Sequence, residues 1–276
     1  MNAKKCALPY IVWSLVFTVI PLILVFFYAI GNDEGSFTFQ NILNSFKYMG
    51  VFIKSFYIGI VSTIICLLVA YPLAYGVSKC SHRWQNILNL LFMLPMWINI
   101  LLRTYAWLTI LEGNGILNQF LDFFKLPKIN VINTDIAVIL GMVYNFLPYI
   151  ILPLHASISK IDKKIIEAAR DLGASRRQIF FRIILPLSIP GIISGVTIVF
   201  VPSVSTFVVS NILGGGKSLL IGDLIEMQFL GSAYDPFFGC ALSVVLMLFV
   251  FIFVFLINRL DTNEVPEEKL KKHIKN

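Results

Sequence analysis

The chain has 276 residues, of which 58% are hydrophobic and only 13% charged, and its mean hydropathy is +0.83. A soluble domain carries about 25% charged residues, so this composition excludes an ordinary soluble protein and indicates a polytopic membrane protein. The formal net charge of +7 would suggest nucleic-acid binding in a soluble chain. In a membrane protein, loops rich in Lys and Arg on the cytoplasmic side explain it better.

Six apolar stretches are long enough to cross a bilayer, whose hydrocarbon core requires about 20 residues of helix. They predict an all-α membrane protein with six transmembrane helices, at about 8–30, 56–78, 87–110, 136–158, 187–210 and 238–258. The segments between them are expected to be loops: 31–55, 79–86, 111–135, 159–186 and 211–237. The first stretch is too long for a signal peptide and no cleavage site follows it, so we interpret it as a retained helix.

The basic residues indicate which loops face the cytoplasm, because cytoplasmic loops of membrane proteins are enriched in Lys and Arg. With a cytoplasmic N-terminus, 16 of the 22 Lys and Arg residues fall on the cytoplasmic side and 5 on the outer side. Both termini are therefore predicted to be cytoplasmic. The outer loops then have a net charge of −3, which suits a cationic substrate. Their acidic residues are Asp33, Glu34, Glu112, Asp122, Asp135, Asp223, Glu226 and Asp235.

The cytoplasmic loop 159–186 is predicted to contain two helices separated by Gly173. The first has an apolar face at helical spacing, made of Ile161, Ile165, Ile166, Ala168, Ala169 and Leu172. Gly173 is placed to end that helix, and Ser175 with Gln178 has the spacing of a capping box that begins the second. The arginines of the second helix stand beside apolar residues, as in a helix at a membrane interface. Pro186 marks the approach to the fifth span. By these patterns alone, an amphipathic loop lying on the membrane is one interpretation.

The segment from Glu167 to Pro186 reads EAARDLGASRRQIFFRIILP. It resembles the EAA loop of permease subunits of ATP-binding cassette (ABC) importers. The residues that carry this resemblance are Glu167, Ala168, Ala169, Gly173, Ile183, Leu185 and Pro186. Three further segments, 94–107, 143–162 and 211–229, resemble the permeases of spermidine/putrescine importers, and among these the B-type subunit.

The resemblance implies the type I ABC importer (MetI-like) permease fold, with the whole chain 1–276 as one transmembrane domain of the bacterial inner membrane. It also implies three partners: a second homologous permease that shares the substrate path, two copies of a cytoplasmic ATPase, and an extracytoplasmic polyamine-binding protein. The ATPase would use ATP and Mg, whereas this chain would be no enzyme and would bind no cofactor or metal of its own.

In the family the loop 159–186 is where the ATPase docks, so the resemblance also implies the residues that couple the two subunits. They are Glu167, Ala168, Ala169, Asp171, Gly173, Ala174, Ser175 and Pro186. Small side chains among them would let the two backbones approach closely. For Glu167 the alternative is an ion pair within the loop, with Lys163 or Lys164.

A polyamine is a chain of ammonium groups, which carboxylates attract and aromatic rings attract by about 0.5–2 kcal/mol. Candidates for the substrate path near the outer membrane boundary are Asp223, Glu226, Glu112, Trp97, Tyr105, Trp107, Tyr144 and Tyr149. Asp223 and Glu226 are preferred among the acids because residues three apart share a helical face. As alternatives, the aromatic residues belong to a lipid-interface belt or pack between helices, and the acids are solvated or contact the binding protein.

Arg103 is the one charged residue well inside a predicted span, and such residues are often functional. A cation would repel a polyamine, so Arg103 is expected to pair with a carboxylate or with backbone carbonyls. Asn145 with Pro148 and Pro153 suggests a distorted fourth helix that either lines the path or simply packs. The segment Gly214–Lys217 is expected to be an outer turn, because the chain lacks the spacing of a phosphate-binding loop.

Other functions fit the residues less well. A channel or ion-coupled carrier often has ionisable residues in mid-span, and these spans are nearly free of charge apart from Arg103. A membrane-embedded enzyme is disfavoured because the three histidines and four cysteines show no metal-binding spacing. A permease of the same importer family for another small solute, such as an amino-acid derivative or an inorganic ion, stays open.

Overall fold

The computed structural model describes residues 3–32, 36–231 and 233–261. Asp33 and Glu34, which contribute to the predicted outer charge, lie outside the described residues, as does the charged segment 262–276. The α-helices of the described residues are α1 (Ala3–Ser14), α2 (Ile20–Ala29), α3 (Gln40–Ser45), α4 (Met49–Ser78), α5 (His82–Met93), α6 (Ile100–Leu111), α7 (Ile116–Phe123), α8 (Asp135–Ser159), α9 (Lys163–Asp171), α10 (Arg176–Ile179), α11 (Leu185–Leu187), α12 (Ile189–Ser205), α13 (Val208–Gly214), α14 (Ile221–Leu230) and α15 (Pro236–Asp261). Two π-helical turns, Leu15–Val19 and Phe180–Ile184, and two 3₁₀ turns, Phe46–Tyr48 and Leu94–Trp97, join neighbouring helices.

Four helical segments are long and apolar enough to cross a membrane: Pro9–Ala29, Gln40–Ser78, Asp135–Ser159 and Pro236–Arg259. Two further pairs pass the same test but are bent. His82–Trp97 and Ile100–Phe123 meet at 88°, and Arg176–Leu187 and Ile189–Ser205 meet at 60°. With each bent pair counted as one span, the described residues hold six, which is the number predicted from hydropathy.

The third span is not the single helix that the sequence predicts over 87–110. Ile98 and Asn99 have extended backbone angles, with ψ of 136° and 135°, so the chain turns sharply before α6. The Asn99 side chain then accepts a hydrogen bond from the Leu101 N–H at 2.8 Å and caps the new helix. Hydropathy alone misses the break because apolar residues continue on both sides of it.

Other boundaries differ from the predicted ones for local reasons. The fifth span ends at Ser205 rather than 210, since Thr206 is extended with ψ of 138°. The second helical segment begins at Gln40, inside the predicted loop 31–55. The outer segments 111–135 and 211–237 contain α7 and α14, so they are structured rather than plain loops.

The core is formed where α4, α8 and α12 pack against one another. Ile58 and Cys66 of α4, Met142 and Ile150 of α8 and Val199 of α12 are fully buried there. At Gly195 a β-carbon would lie 2.6 Å from the Ile150 side chain, so α8 and α12 are as close as a glycine allows. The last helix α15 packs against α2, α3 and α14 at the edge of this core.

Polar contacts join the N-terminal ends of α4 and α8, the predicted outer ends, to the glycine segment after α13. Lys54 forms an ion pair with Asp135 at 2.9 Å, and the Ser218 hydroxyl donates to the same carboxylate oxygen at 2.5 Å. Gly215 and Gly216 have φ of +53° and +75°, values that favour glycine. The segment is a turn, as predicted, and it is held against the start of α8.

Candidate functional site

The first helix of the loop 159–186 is α9, and single residues define its two ends. The Asp162 carboxylate accepts a hydrogen bond from the Lys164 N–H at 2.9 Å and caps the first turn. After α9 ends, Gly173 has φ of +80° and its N–H donates to the Arg170 carbonyl at 2.8 Å. The prediction that Gly173 ends this helix is therefore confirmed. The Asp162 cap was missed, although an Asp just before a helical pattern is a known signal for one.

The second helix of the loop begins with the predicted capping box. The Ser175 N–H donates to Gln178 Oε1 at 2.8 Å, and the Gln178 N–H donates to Ser175 Oγ at 3.3 Å. From there α10 continues through the π-helical turn and α11, and the chain bends by 60° at Ser188 into α12. The two reciprocal hydrogen bonds fix where the chain leaves the Gly173 turn.

Aromatic side chains attach the loop to α4. The Phe180 ring meets Tyr71 and Tyr75 edge-on, with centroid distances of 5.6 and 5.5 Å. The Tyr71 and Ser188 hydroxyl oxygens are 2.9 Å apart and hydrogen-bonded. Ile179 and Ile184 are buried in the main core. A displacement of the loop must therefore also displace α4, a contact that the sequence analysis did not foresee.

The apolar residues of α9 and its flanks lie on one face, as predicted, since their positions fall within an arc of about 160°. The structure divides this face into a buried edge and an exposed edge. Ile166 and Ala169 pack towards the main core. Ile165, Ala168 and Leu172 are exposed, and Leu172 is 88% exposed. At 100° per residue these three positions lie within about 60° of one another, whereas Ile166 lies about 100° away from Ile165. The exposed residues Ile165, Ala168 and Leu172 form what we call the outer stripe of α9.

The polar residues of α9 face solvent. Glu167 and Asp171 are exposed. Among the described residues Glu167 forms no ion pair with Lys163 or Lys164, which was the alternative for this residue. Of the other residues assigned to the loop, Ala174 packs on the main core and Pro186 is exposed in α11.

The break in the third span opens a cavity of about 540 Å³ against α8. Two of the predicted aromatic residues, Trp97 and Tyr149, line it together with Arg103 and Asn145. The remaining walls are Met96, Ile98, Asn99, Ile100 and Phe146. We call this space the outer cavity. The sequence analysis singled out four of these residues separately, but it did not predict that they line one cavity.

Two buried polar side chains of the outer cavity are only partly satisfied. Arg103, 6% exposed, donates from Nη1 to the Asn145 carbonyl at 3.5 Å, which confirms the expected pairing with a backbone carbonyl. Asn145 Nδ2 donates to the Gly141 carbonyl at 2.9 Å and to Thr104 Oγ1 at 3.3 Å. Arg103 Nε and Asn145 Oδ1 have no hydrogen-bond partner among the described residues. Buried polar atoms without partners cost free energy, so a ligand that supplied the missing hydrogen bonds would be stabilised there.

The other predicted aromatic residues and Glu112 lie apart from the residues that line the outer cavity. The Trp107 and Tyr144 rings pack edge-on, with their centroids 5.3 Å apart. Tyr105 is exposed on α6, and Glu112 is exposed at the end of that helix. The packing of Trp107 on Tyr144 is the alternative that was considered for the aromatic residues.

Asp223 is buried and both of its carboxylate oxygens accept hydrogen bonds from the chain. The donors are Ser210 Oγ and the Leu220 N–H, each at 2.8 Å. The pKa of this carboxyl is raised to about 6, because burial and, to a smaller extent, the nearby Glu226 raise it by more than the two hydrogen bonds lower it. Asp223 thus joins α13 to the start of α14, a structural role that the sequence analysis did not consider. Glu226 is half-buried.

Known proteins are similar to this chain in sequence and in fold. The family described as binding-protein-dependent transport system inner membrane component matches residues 67–262. The spermidine/putrescine transport system permease protein PotB of Haemophilus influenzae is 41% identical over 269 residues, covering 93% of this chain and 94% of that protein. PotB of Escherichia coli is 36% identical over 246 residues, covering 86% and 89%.

Among solved structures, a bacterial ABC transporter involved in the import of the acidic polysaccharide alginate has a chain that superposes with a TM-score of 0.76. The identity is 19%, and the match covers 95% of each chain. This likeness concerns the fold, which is that of type I ABC importer permeases, as predicted. From the family match and the identity to its relatives, the chain belongs to the inner membrane components of binding-protein-dependent transport systems.

Proposed function

We propose that the chain is a permease subunit of an ATP-driven importer of the polyamines spermidine and putrescine. The observation that carries this proposal is the 41% identity to a spermidine/putrescine permease over 94% of that protein's length. The loop 159–186 supports the importer assignment. The Gly173 turn and the Ser175 capping box fix its backbone, and its first helix, α9, has an exposed face on which another protein could dock. The chain itself transports and does not hydrolyse ATP.

The outer stripe of α9 is the proposed contact with the ATPase. Ile165, Ala168 and Leu172 lie at spacings of three and four residues, and all three are exposed among the described residues. Glu167 and Asp171 beside them carry charges that the described residues do not neutralise. An apolar stripe flanked by free carboxylates suits a cleft with apolar walls and basic or amide groups at its rim.

The remaining partners follow from the same proposal. A second homologous permease would complete the substrate path, two ATPase copies would use ATP and Mg, and an extracytoplasmic binding protein would deliver the polyamine. Both termini would be cytoplasmic, which agrees with the concentration of 16 of the 22 Lys and Arg residues on that side.

The outer cavity is the proposed point of contact with the substrate. The rings of Trp97 and Tyr149 would attract an ammonium group, and Asn145 Oδ1 would accept one of its hydrogen bonds. Arg103 lies in the same wall, and its positive charge would keep binding weak. Weak binding suits a path from which the substrate must leave. Asp223 is less suited than the sequence analysis supposed, because both of its oxygens are engaged.

The test is uptake of labelled spermidine and putrescine into proteoliposomes that contain this chain, its second permease and the ATPase, with the binding protein added outside. The expected result is uptake of at least one polyamine that requires ATP inside. A complex that assembles and hydrolyses ATP in response to its binding protein, yet moves neither amine, would overturn the polyamine assignment and favour another small solute. A chain that does not associate with any ATPase would overturn the importer assignment as well.

A further inference from the structure

A cavity larger than the outer one lies between the loop 159–186 and the ends of α4 and α8. Its volume is about 1010 Å³, and α9, α10 and the π-helical turn close it on the other side. Among the described residues that line it, five are basic and one, Glu167, is acidic. The basic residues are Lys79, Lys163, Arg170, Arg176 and Arg177. We call this space the basic cavity.

Among the described residues, no carboxylate forms an ion pair with a cation of the basic cavity. The ion pair between Lys54 and Asp135 lies far from this cavity, at the other ends of α4 and α8. Lys79 Nζ is 3.8 Å from the centre of the Tyr75 ring, and Arg177 Cζ is 5.9 Å from that of Phe181. Five cations around one space repel each other, so an anion bound among them would lower the electrostatic energy.

The place and the walls of the basic cavity indicate which anion it takes. Ser78 and Ser159, which line it, are the last residues of two membrane-spanning segments, so the cavity lies where apolar helix gives way to polar loop. Ile184 and Phe181 add apolar walls beside the arginines. Arginine binds phosphate oxygens through paired hydrogen bonds, and basic pockets at the cytoplasmic ends of membrane helices bind anionic lipid headgroups.

We propose that the basic cavity binds the phosphate headgroup of an anionic phospholipid. The arginines of α9 and α10 hold the phosphate, and Phe181 and Ile184 contact the first carbons of the acyl chains. Free phosphate or a nucleotide offers the same oxygens but leaves the apolar walls exposed. A bound lipid connects α4, α9 and α10, so anionic lipid strengthens the attachment of the loop that carries the outer stripe.

The test compares two double variants with the same loss of charge in the same loop. Arg176→Gln with Arg177→Gln removes two cations that line the basic cavity. Lys164→Gln with Arg182→Gln removes two cations of the loop that do not line it. The complete complex is placed in nanodiscs of phosphatidylcholine with a minor share of phosphatidylglycerol, and retained lipid is counted by native mass spectrometry after detergent extraction.

We expect phosphatidylglycerol to stay on the wild-type complex and on the Lys164/Arg182 variant. We expect the Arg176/Arg177 variant to bind it about 30-fold more weakly, from about fivefold for each cation near a membrane surface. An equal loss of bound phosphatidylglycerol in both variants would mean that the lipid is attracted by the surface charge of the loop in general. That result would contradict a specific site in the basic cavity. So would displacement of the lipid by inorganic phosphate or ATP, or its absence from the assembled wild-type complex. The readout is binding, so it does not depend on whether polyamines are transported.

Discussion

The loop 159–186 and the outer cavity are built in opposite ways. In the loop, capping and turn positions are satisfied by neighbours a few residues away: Asp162 caps α9, Gly173 ends it, and Ser175 exchanges hydrogen bonds with Gln178. In the outer cavity, Arg103 and Asn145 come together from 42 residues apart, and each keeps one buried atom without a partner. A loop whose capping and turn positions are hydrogen-bonded can transmit movement. A cavity lined by buried polar atoms without partners can bind a substrate transiently.

The largest expected effect concerns the Gly173 turn of the loop 159–186. Gly173→Val forces a β-branched residue to a φ of +80°, at a cost of about 1–3 kcal/mol, and so displaces α9 relative to α10. We expect ATP-driven uptake to fall about tenfold or more while the complex still assembles. Gly173→Asn is the control, because Asn tolerates this backbone conformation and no other group lies near the new side chain. Equal uptake by the Val and Asn variants would show that the turn does not matter for coupling.

The next effect tests whether Asp223 stabilises the fold through its two hydrogen bonds or contacts the substrate. Asp223→Ala leaves the Leu220 N–H and the Ser210 hydroxyl without their acceptor, so we expect a loss of about 1–3 kcal/mol in the free energy of unfolding. Asp223→Asn keeps an acceptor and should cost less. Thermal unfolding of the detergent-purified protein measures both. A variant with full thermal stability but poor uptake would instead place Asp223 on the substrate path.

The raised pKa of Asp223 also predicts a pH dependence. Between about pH 3.8 and 6 the folded protein binds the proton of this group more tightly than the unfolded chain does. The contribution of Asp223 to stability is therefore lost as pH rises through that range. Relative to Asp223→Asn, the wild type should gain thermal stability when pH falls from 7 to 5. A difference between the two proteins that stays constant with pH would contradict the shifted pKa.

A smaller effect is expected in the outer cavity. Trp97→Ala removes an aromatic face worth about 0.5–2 kcal/mol to a bound cation, so transport should require about 2- to 30-fold more substrate-loaded binding protein for half-maximal rate. Trp97→Phe keeps a ring and should lie close to the wild type. If both variants transport normally, Trp97 belongs to the lipid-interface belt, which was the alternative considered for it.

The smallest effect is expected at the partly exposed ion pair of the outer ends. Lys54→Met removes the partner of Asp135, but Ser218 still donates to that carboxylate. Exposed ion pairs contribute about 0–1 kcal/mol, so the midpoint of thermal unfolding should shift by little. Asp135→Ala removes both contacts and serves as the comparison. A large loss from Lys54→Met alone would mean that this contact, rather than the glycine turn, holds the outer ends of α4 and α8.

What the sequence could predict follows the same division. Local patterns located the Gly173 turn, the Ser175 capping box and the turn at Gly214–Lys217, because each depends on residues next to one another. The break at Ile98 and Asn99 was missed, since hydropathy is the same on both sides. The apolar face of α9 was predicted from its spacing, but its division into a buried and an exposed edge was not, because burial depends on which distant helices lie beside it. The meeting of Trp97, Arg103, Asn145 and Tyr149 depends on packing between distant helices, which no single sequence displays.

The most direct test of the central claim is a cross-link between the outer stripe and the ATPase. In a chain whose four native cysteines are replaced by serine, Leu172→Cys is compared with Phe123→Cys. The two positions are 88% and 82% exposed in this chain, but Phe123 lies at the end of α7, where the third span ends. We predict that a short bifunctional thiol reagent joins Leu172→Cys, and not Phe123→Cys, to an ATPase with cysteines at its docking cleft. Efficient cross-linking of the ATPase to Phe123→Cys, with none at Leu172→Cys, would contradict the account.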